Sequence, residues 1–198
     1  MAGRGTSSEA GLDLIFRTAR TQRSWHPETV AEELLRRIYD LAKMGPTSAN
    51  CMPAHFIFVV TPEGKEKLRP ALSAGNLTQT MTAPVTAIVG YDLEFYENLP
   101  ELYREADAKS WFTGSPELIR ETAFRNSSLQ GAYLVLAVRS LGLDAGPMSG
   151  FDQEKVNAAF WPDGKTKANF LCNIGYGDDA RLKPRNKRLA FDEACRIV

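Results

Sequence analysis

Apolar positions along this chain switch between helical and strand spacing, and punctuation residues mark the switches. Leu12, Ile15 and Phe16 open a short helical pattern that ends near Ala19. Thr29 with Glu32 three residues later is a capping-box signature. Behind it Leu34, Leu35, Ile38, Tyr39, Leu41 and Ala42 keep helical spacing until Gly45-Pro46 stops them. His55 to Val60 is short and β-rich, so it predicts a buried strand. Thr61-Pro62 opens a further helix with Leu68 and Leu72 on one face. Pro84 to Tyr91 predicts a second strand.

Asp92 to Gly114 is aromatic and mixed in charge, and carries no assignable period. Ser115-Pro116 then starts a long helix running to Leu141, with Gly142 closing it. Its second half is apolar on most faces, which predicts a central, partnered helix. Leu143 to Pro147 reads as a brief strand, Asp152 caps a helix to about Phe160, and Phe170 to Tyr176 is a third clear strand. Pattern alone leaves α/β and α+β open. Residues 1–10 are small and polar and read as a disordered arm ahead of one domain spanning 11–198.

Charge and composition then narrow the function classes. Lys and Arg total 24 against 24 Asp and Glu, so no bulk field recruits nucleic acid or a membrane surface. No apolar run approaches the roughly 20 residues of a span, and the N-terminus has no signal-peptide core. Three cysteines, Cys51, Cys172 and Cys195, are an odd set without metal spacing and suit a reducing compartment. The expectation is a cytoplasmic protein without a metal.

Four local features could carry chemistry. Arg20-Thr21-Gln22-Arg23 places two guanidinium groups three apart, with a hydroxyl between them. Read as a helical turn, they point the same way and match phosphate oxygens. Gly45 to Pro53 is dense in hydroxyls, with one amide, between two prolines, an edge for a flat polar ligand. Gly146-Pro147-Met148-Ser149-Gly150 joins a strand to a capped helix, and its glycines would admit a ligand close to the backbone. The tail holds Arg181, Lys183, Arg185, Lys187 and Arg188, a second basic group that could close on the same phosphate. In isolation each also reads as an ordinary solvated turn, loop, cap or surface run.

What is missing matters as well. No Gly-x-Gly-x-x-Gly, Gly-x-Ser-x-Gly or Walker loop occurs. His26 and His55 have no partner at metal spacing. An enzyme without a nucleophile, metal or histidine base needs a cofactor for the hard step.

These features, in this order, resemble the nitroreductase-like FMN flavoproteins. The strings GPTSANC, SAGNL, TAPVTAIV, ETAFRNSS, GPMSGFD and NIGYGD carry the resemblance, which extends from about Phe16 onward. They are most similar to the malonic semialdehyde reductases of pyrimidine degradation within that family. The resemblance implies an α+β fold, a mixed sheet flanked by helices, in an intertwined homodimer with FMN at the interface. It implies that Arg20, Thr21 and Arg23 hold the FMN phosphate and ribityl chain, with Arg185 or Arg188 closing from the tail. Pro46, Thr47, Ser48 and Asn50 would come from the partner subunit. Asn76 would face the pyrimidine edge, and Pro147, Met148, Ser149 and Gly150 would line one ring face.

Three positions depart from the family pattern. Ala19 replaces a basic residue, Met52 stands where many relatives carry Gln, and Ser149 stands where many carry Glu. The implied activity is hydride transfer in two half-reactions, from NADPH or NADH and then to a small anionic aldehyde, malonic semialdehyde, giving 3-hydroxypropionate. A broad nitro or quinone reductase, and a flavin-binding module without turnover, are the other readings. The substrate carboxylate needs a fixed cation. Arg125, among Asn126, Ser127 and Ser128 on an otherwise apolar helix, is the candidate. Lys109 with Trp111 could serve instead, and Glu121 could claim Arg125 as a structural ion pair.

Overall fold

A computed structural model describes residues 5–198. The residues 1–4 of the expected N-terminal arm lie outside the described residues. The next four are exposed coil, and a single helical turn, α1 (Glu9–Leu12), is capped by Ser8. It continues as a wider π turn over Asp13–Arg17.

Four strands form one sheet in the order β1-β2-β4-β3, with β1 (Ala54–Val59), β2 (Val85–Asp92), β3 (Asp144–Met148) and β4 (Thr166–Gly175). All three strand pairings are antiparallel. A parallel bridge joins Thr21 to Ala145, adding a short extended segment beside β3. β2 and β4 are central and almost wholly buried, which is why Ala87, Ile88, Val89, Leu171, Cys172 and Ile174 run without the alternation of a half-exposed strand.

On one face lie α2 (Glu32–Ala42) and α6 (Pro116–Ser140). Leu35, Ile38, Leu134 and Val138 pack there on Val85, Ala87 and Ile174. Gly131 lets α6 descend onto the sheet, since a Cβ there would sit 2.5 Å from the Phe170 ring. The opposite face carries α3 (Pro62–Leu68), α4 (Ala74–Thr82) and α7 (Gln153–Phe160). Leu68, Val156, Ile88 and Leu171 make the core on that side. A third cluster joins Cys51, Phe95, Leu99, Phe112 and Ala123.

Several expectations are corrected. The capping box does not form: Ala31 is the N-cap of α2 and makes no side-chain bond. Glu32 turns instead to Arg36 one turn on, at 2.5 Å. Pro70 ends α3 early through a 3₁₀ turn at Arg69–Ala71. α4 was not expected, because Asn76, Thr78, Gln79, Thr80 and Thr82 blur any apolar period. The unassigned stretch folds as single turns at Phe95–Asn98, α5 (Leu99–Leu102) and Ala108–Trp111. Asp152 does cap α7, accepting from the Lys155 backbone N–H. Gly142 closes α6 with φ 77°.

Candidate active site

The N-terminal segment, the end of α6 and the C-terminal tail enclose a cavity of about 640 Å³. Arg20, Thr21, Arg23, Arg139, Arg181, Lys183, Arg185 and Arg188 line it, with Asp178 as the one carboxylate in its wall. The structure therefore brings together basic residues of both groups that the sequence suggested, with Arg20 and Lys183 lying 163 residues apart along the chain. It does so by a different local geometry. Arg20 to Arg23 is not a helical turn; it is extended, held to β3 by Gln22 N–H donating to the Ala145 carbonyl at 3.1 Å. Gln22 points inward at 1% exposure and its amide donates to Asp179 at 2.6 Å.

The arginines in this cavity are held mostly by backbone carbonyls. Arg20 donates to the Lys183 carbonyl at 2.5 Å. Arg185 donates to those of Arg17 and Ala19, each at 2.8 Å. Arg188 donates to the Asn186 carbonyl at 2.9 Å. Arg181 is the exception, 3.4 Å from Asp178. Carbonyls orient a guanidinium and leave its charge unneutralised, so the cavity is a ready anion site. Arg139 was missed by the sequence reading. Its Nη1 donates to the Ile15 carbonyl at 3.2 Å, and its Nε is buried without a partner. An unpaired buried donor in a cationic wall fits a phosphate-bearing ligand. The missed signal was a basic residue in the last turn of an apolar helix, which the helix dipole alone would explain.

Asn76 and the turn after β3 form a second group. Asn76 Nδ2 donates to the Gly150 carbonyl at 2.9 Å, and Ser73 Oγ donates to the same oxygen at 2.7 Å. Gln79 Nε2 donates to Asn76 Oδ1 at 2.5 Å. Pro147 and Ser149 are exposed, and Met148 is half-buried with its sulfur 3.5 Å from the Thr80 hydroxyl. The two glycines also let the chain pack closely on itself. A Cβ at Gly150 would lie 2.5 Å from Asn76 Nδ2 and 2.8 Å from Ser73 Oγ, and one at Gly146 would strike the Gln22 carbonyl.

The loop from Pro46 to Asn50 lies apart from this group. Ala49, Asn50 and Met52 have φ of 48°, 50° and 40°, three positive values around a right-handed Cys51, which is uncommon without glycine. Such strain persists only where surroundings enforce it. Here Ser48 N–H donates to Asn126 Oδ1 at 2.8 Å, Met52 N–H to Thr47 Oγ1 at 3.2 Å, and Asn50 Nδ2 to the Leu102 carbonyl at 2.9 Å. The loop thus presents a fixed polar edge, with Pro46, Ser48 and Asn50 exposed.

Arg125 stands on the exposed face of α6 in an ion pair with Glu121 one turn earlier. Lys109 is paired with Glu97 at 2.5 Å, and Trp111 is half-exposed against Tyr103. Among the described residues no cluster of metal-ligating side chains exists. No described helix is long and apolar enough to cross a membrane. Burial pushes the Cys51 and Cys172 thiols up to about 11 and about 12, so neither is a nucleophile.

A family model described as "Nitroreductase family" matches residues 16–176. A protein of Polynucleobacter asymbioticus, provisionally named an NADH dehydrogenase/NAD(P)H nitroreductase, is 57% identical over 191 residues, covering 96% of this chain and 97% of the relative. Among solved structures, a protein of Exiguobacterium sibiricum provisionally named a nitroreductase, in complex with FMN, superposes with a TM-score of 0.85 at 20% identity, covering 98% of this chain and 99% of that one. One of Staphylococcus epidermidis, provisionally named an NAD(P)H:FMN oxidoreductase, gives 0.84 at 21% identity and 99% of both chains. These likenesses show the fold, and the α+β class bears out the sequence reading.

Proposed function

Because the chain belongs to the nitroreductase family, we propose that it is a cytoplasmic FMN-dependent NAD(P)H oxidoreductase. The observation that carries this reading is the cavity of arginines bonded to carbonyls, which orient those cations and leave most of their charge for an anionic ligand. The provisional name of the Polynucleobacter relative and the FMN in the Exiguobacterium structure support it. Arg20, Arg23 and Arg139, with Arg185 or Arg188, would bind the FMN phosphate, and the Thr21 hydroxyl would add a donor. Asn76, fixed by Gly150 and Gln79, keeps one amide hydrogen for the pyrimidine edge. Pro147, Met148, Ser149 and Gly150 would cover one ring face and keep water off it. FMN, when bound, supplies hydride transfer from NADPH or NADH to an acceptor. With Ser149 in place of a carboxylate, one negative charge beside the ring is removed, which would ease formation of the anionic reduced flavin.

A homodimer completes this reading. Leu118, Phe124, Leu129 and Tyr133 leave α6 partly exposed, and Tyr39, Leu41 and Met44 do the same on and after α2. Such apolar surface on neighbouring helices supports a partner subunit. That subunit would bring Pro46, Thr47, Ser48 and Asn50 to the flavin.

For the acceptor, the strings shared with malonic semialdehyde reductases support reduction of that anion to 3-hydroxypropionate in pyrimidine degradation. Arg125 would fork the substrate carboxylate. The Glu121 ion pair favours the second reading, a broad nitro or quinone reductase, because it already neutralises that guanidinium. Steady-state assays separate them. Specific reduction requires malonic semialdehyde to exceed neutral aldehydes in kcat/KM, with Arg125→Met raising KM for it and sparing quinones. Equal turnover of charged and neutral aldehydes, unchanged in Arg125→Met, assigns the broad reading.

A further inference from the structure

Lys65 is buried on α3 at 6% exposure and has no carboxylate partner among the described residues. An apolar side chain would fill the same space without desolvating an amine, so its retention asks for a reason. Its Nζ donates to the Thr80 carbonyl on α4 at 2.9 Å and to Thr86 Oγ1 on β2 at 2.5 Å. From there the bonds run on in one direction. Thr86 Oγ1 donates to Asn173 Oδ1 on β4 at 2.7 Å. Asn173 Nδ2 donates to the Gln79 carbonyl at 3.2 Å and to Thr80 Oγ1 at 3.4 Å. Thr80 Oγ1 in turn faces the Met148 sulfur, and the Gln79 side chain holds Asn76.

The polarity of this chain is set at its two ends. An ammonium has donors only. Thr86 must therefore accept from Lys65, and its single hydrogen must go to Asn173 Oδ1. The Gln79 carbonyl, which can only accept, fixes the same arrangement from the other end: the Asn173 NH₂ turns toward Gln79 and Thr80. That leaves the Thr80 hydroxyl hydrogen directed at Met148. A neutral amine loses the charge that strengthens its bonds to the Thr80 carbonyl and Thr86, and can accept from Thr86 instead, which leaves Asn173 Oδ1 without its donor and loosens the rest.

We propose that Lys65 is a positioning residue for the flavin: its ammonium ties the Thr80 carbonyl on α4 to Thr86 on β2 by charge-assisted bonds, keeps the Thr86 hydrogen on Asn173, and so holds Thr80, Met148 and the Gln79–Asn76 pair in their binding arrangement. The inference rests on the reading that FMN lies against Asn76 and the Met148–Gly150 turn. Burial lowers the Lys65 pKa to about 7, so the ammonium is gained and lost near neutrality. Lys65 also borders a cavity of about 620 Å³ whose wall includes His26, Glu28, Glu66 and Arg69. α7, packed on α3, carries Glu154 and Lys155, and none of these groups pairs with Lys65. α4, β2 and β4 meet it with uncharged groups only.

The test is FMN affinity of the full chain, by flavin fluorescence, from pH 6 to 9, with the flavin visible spectrum as a second readout. Wild-type protein should bind FMN at least threefold more weakly at pH 8.5 than at pH 6.5, after dividing by the profile of Lys65→Met to cancel the FMN phosphate titration. Lys65→Met should also bind more weakly than wild type at pH 6.5 and shift the flavin spectrum. Lys65→Arg, donor-only at every pH, should restore the spectrum and abolish the excess pH dependence. A folded Lys65→Met with wild-type affinity, profile and spectrum overturns the proposal. Should Lys65→Met not fold, Thr80→Val cuts the link to Met148 while keeping Lys65, and an unaltered spectrum and pH profile there overturns it equally. Asn76→Ala separates the underlying reading: unchanged FMN affinity in that variant means the flavin lies elsewhere, and both fail together.

Discussion

The side-chain amide of Asn76 donates to the carbonyl of Gly150 at 2.9 Å, and a methyl group on Gly150 would lie 2.5 Å from that amide nitrogen. The two residues are 74 apart in the chain and meet because Leu72 and Phe151 form an isolated bridge beside them. Gly150→Ala must displace both Asn76 and Ser73. FMN affinity, measured by fluorescence titration, should fall roughly tenfold, equal to about 1.4 kcal/mol, while the far-ultraviolet circular dichroism stays native. Undiminished affinity would separate this pair from the cofactor.

Arg23, in the N-terminal segment, and Arg139, in the last turn of α6, line the same cavity. Each charge-assisted contact to a phosphate contributes about 1.5–3 kcal/mol, or about 10- to 150-fold in affinity. Arg23→Ala and Arg139→Met should therefore purify largely colourless. Arg181→Ala should stay yellow, because Asp178 already occupies that guanidinium. Flavin content per subunit, read from the absorbance ratio, distinguishes the three.

The exposed apolar side chains of α6 predict assembly. Leu129→Glu places a carboxylate in the middle of that surface and should convert a dimer into monomers in sedimentation velocity. FMN should be lost in parallel if the site is shared between subunits. A wild-type monomer that holds FMN would contradict the shared site.

Lys65 makes stability depend on pH in a definite direction. Its folded pKa, about 7, lies below the unfolded value near 10.5, so between them the unfolded chain binds more protons. Stability should rise with pH through that window, by up to about 1.4 kcal/mol per unit. In Lys65→Met this contribution to the rise should vanish. Urea denaturation of the apoprotein at pH 7, 8 and 9 checks it, and matching slopes for both proteins would show that Lys65 is not the titrating group.

Much of this architecture was readable before any coordinates. β1, β2 and the central helix were legible because their apolar runs are bounded by proline, glycine and capping residues. β4 was recognised only in its second half, since Thr166 and Lys167 disguise a start whose Thr166 is nevertheless buried. α4 escaped because its buried positions are Gln79 and Thr80, polar residues satisfied by a network no window of sequence reveals. Arg20, Arg23 and the tail arginines were picked out as residue types, yet their meeting depends on an extended segment bridged to β3. Arg139 could not be singled out, because a basic residue closing a helix is ordinary.

The central claim is that this chain binds FMN and passes reducing equivalents from a nicotinamide to an acceptor. The most direct measurement is anaerobic: load the purified protein with FMN, add NADPH or NADH, and follow absorbance near 450 nm. Bleaching within turnover time by at least one nicotinamide is expected, with return of the colour on adding malonic semialdehyde or a quinone. Bound FMN that stays yellow with both nicotinamides would make the protein a flavin-binding module, and failure to bind FMN at all would remove the cavity of arginines as a cofactor site.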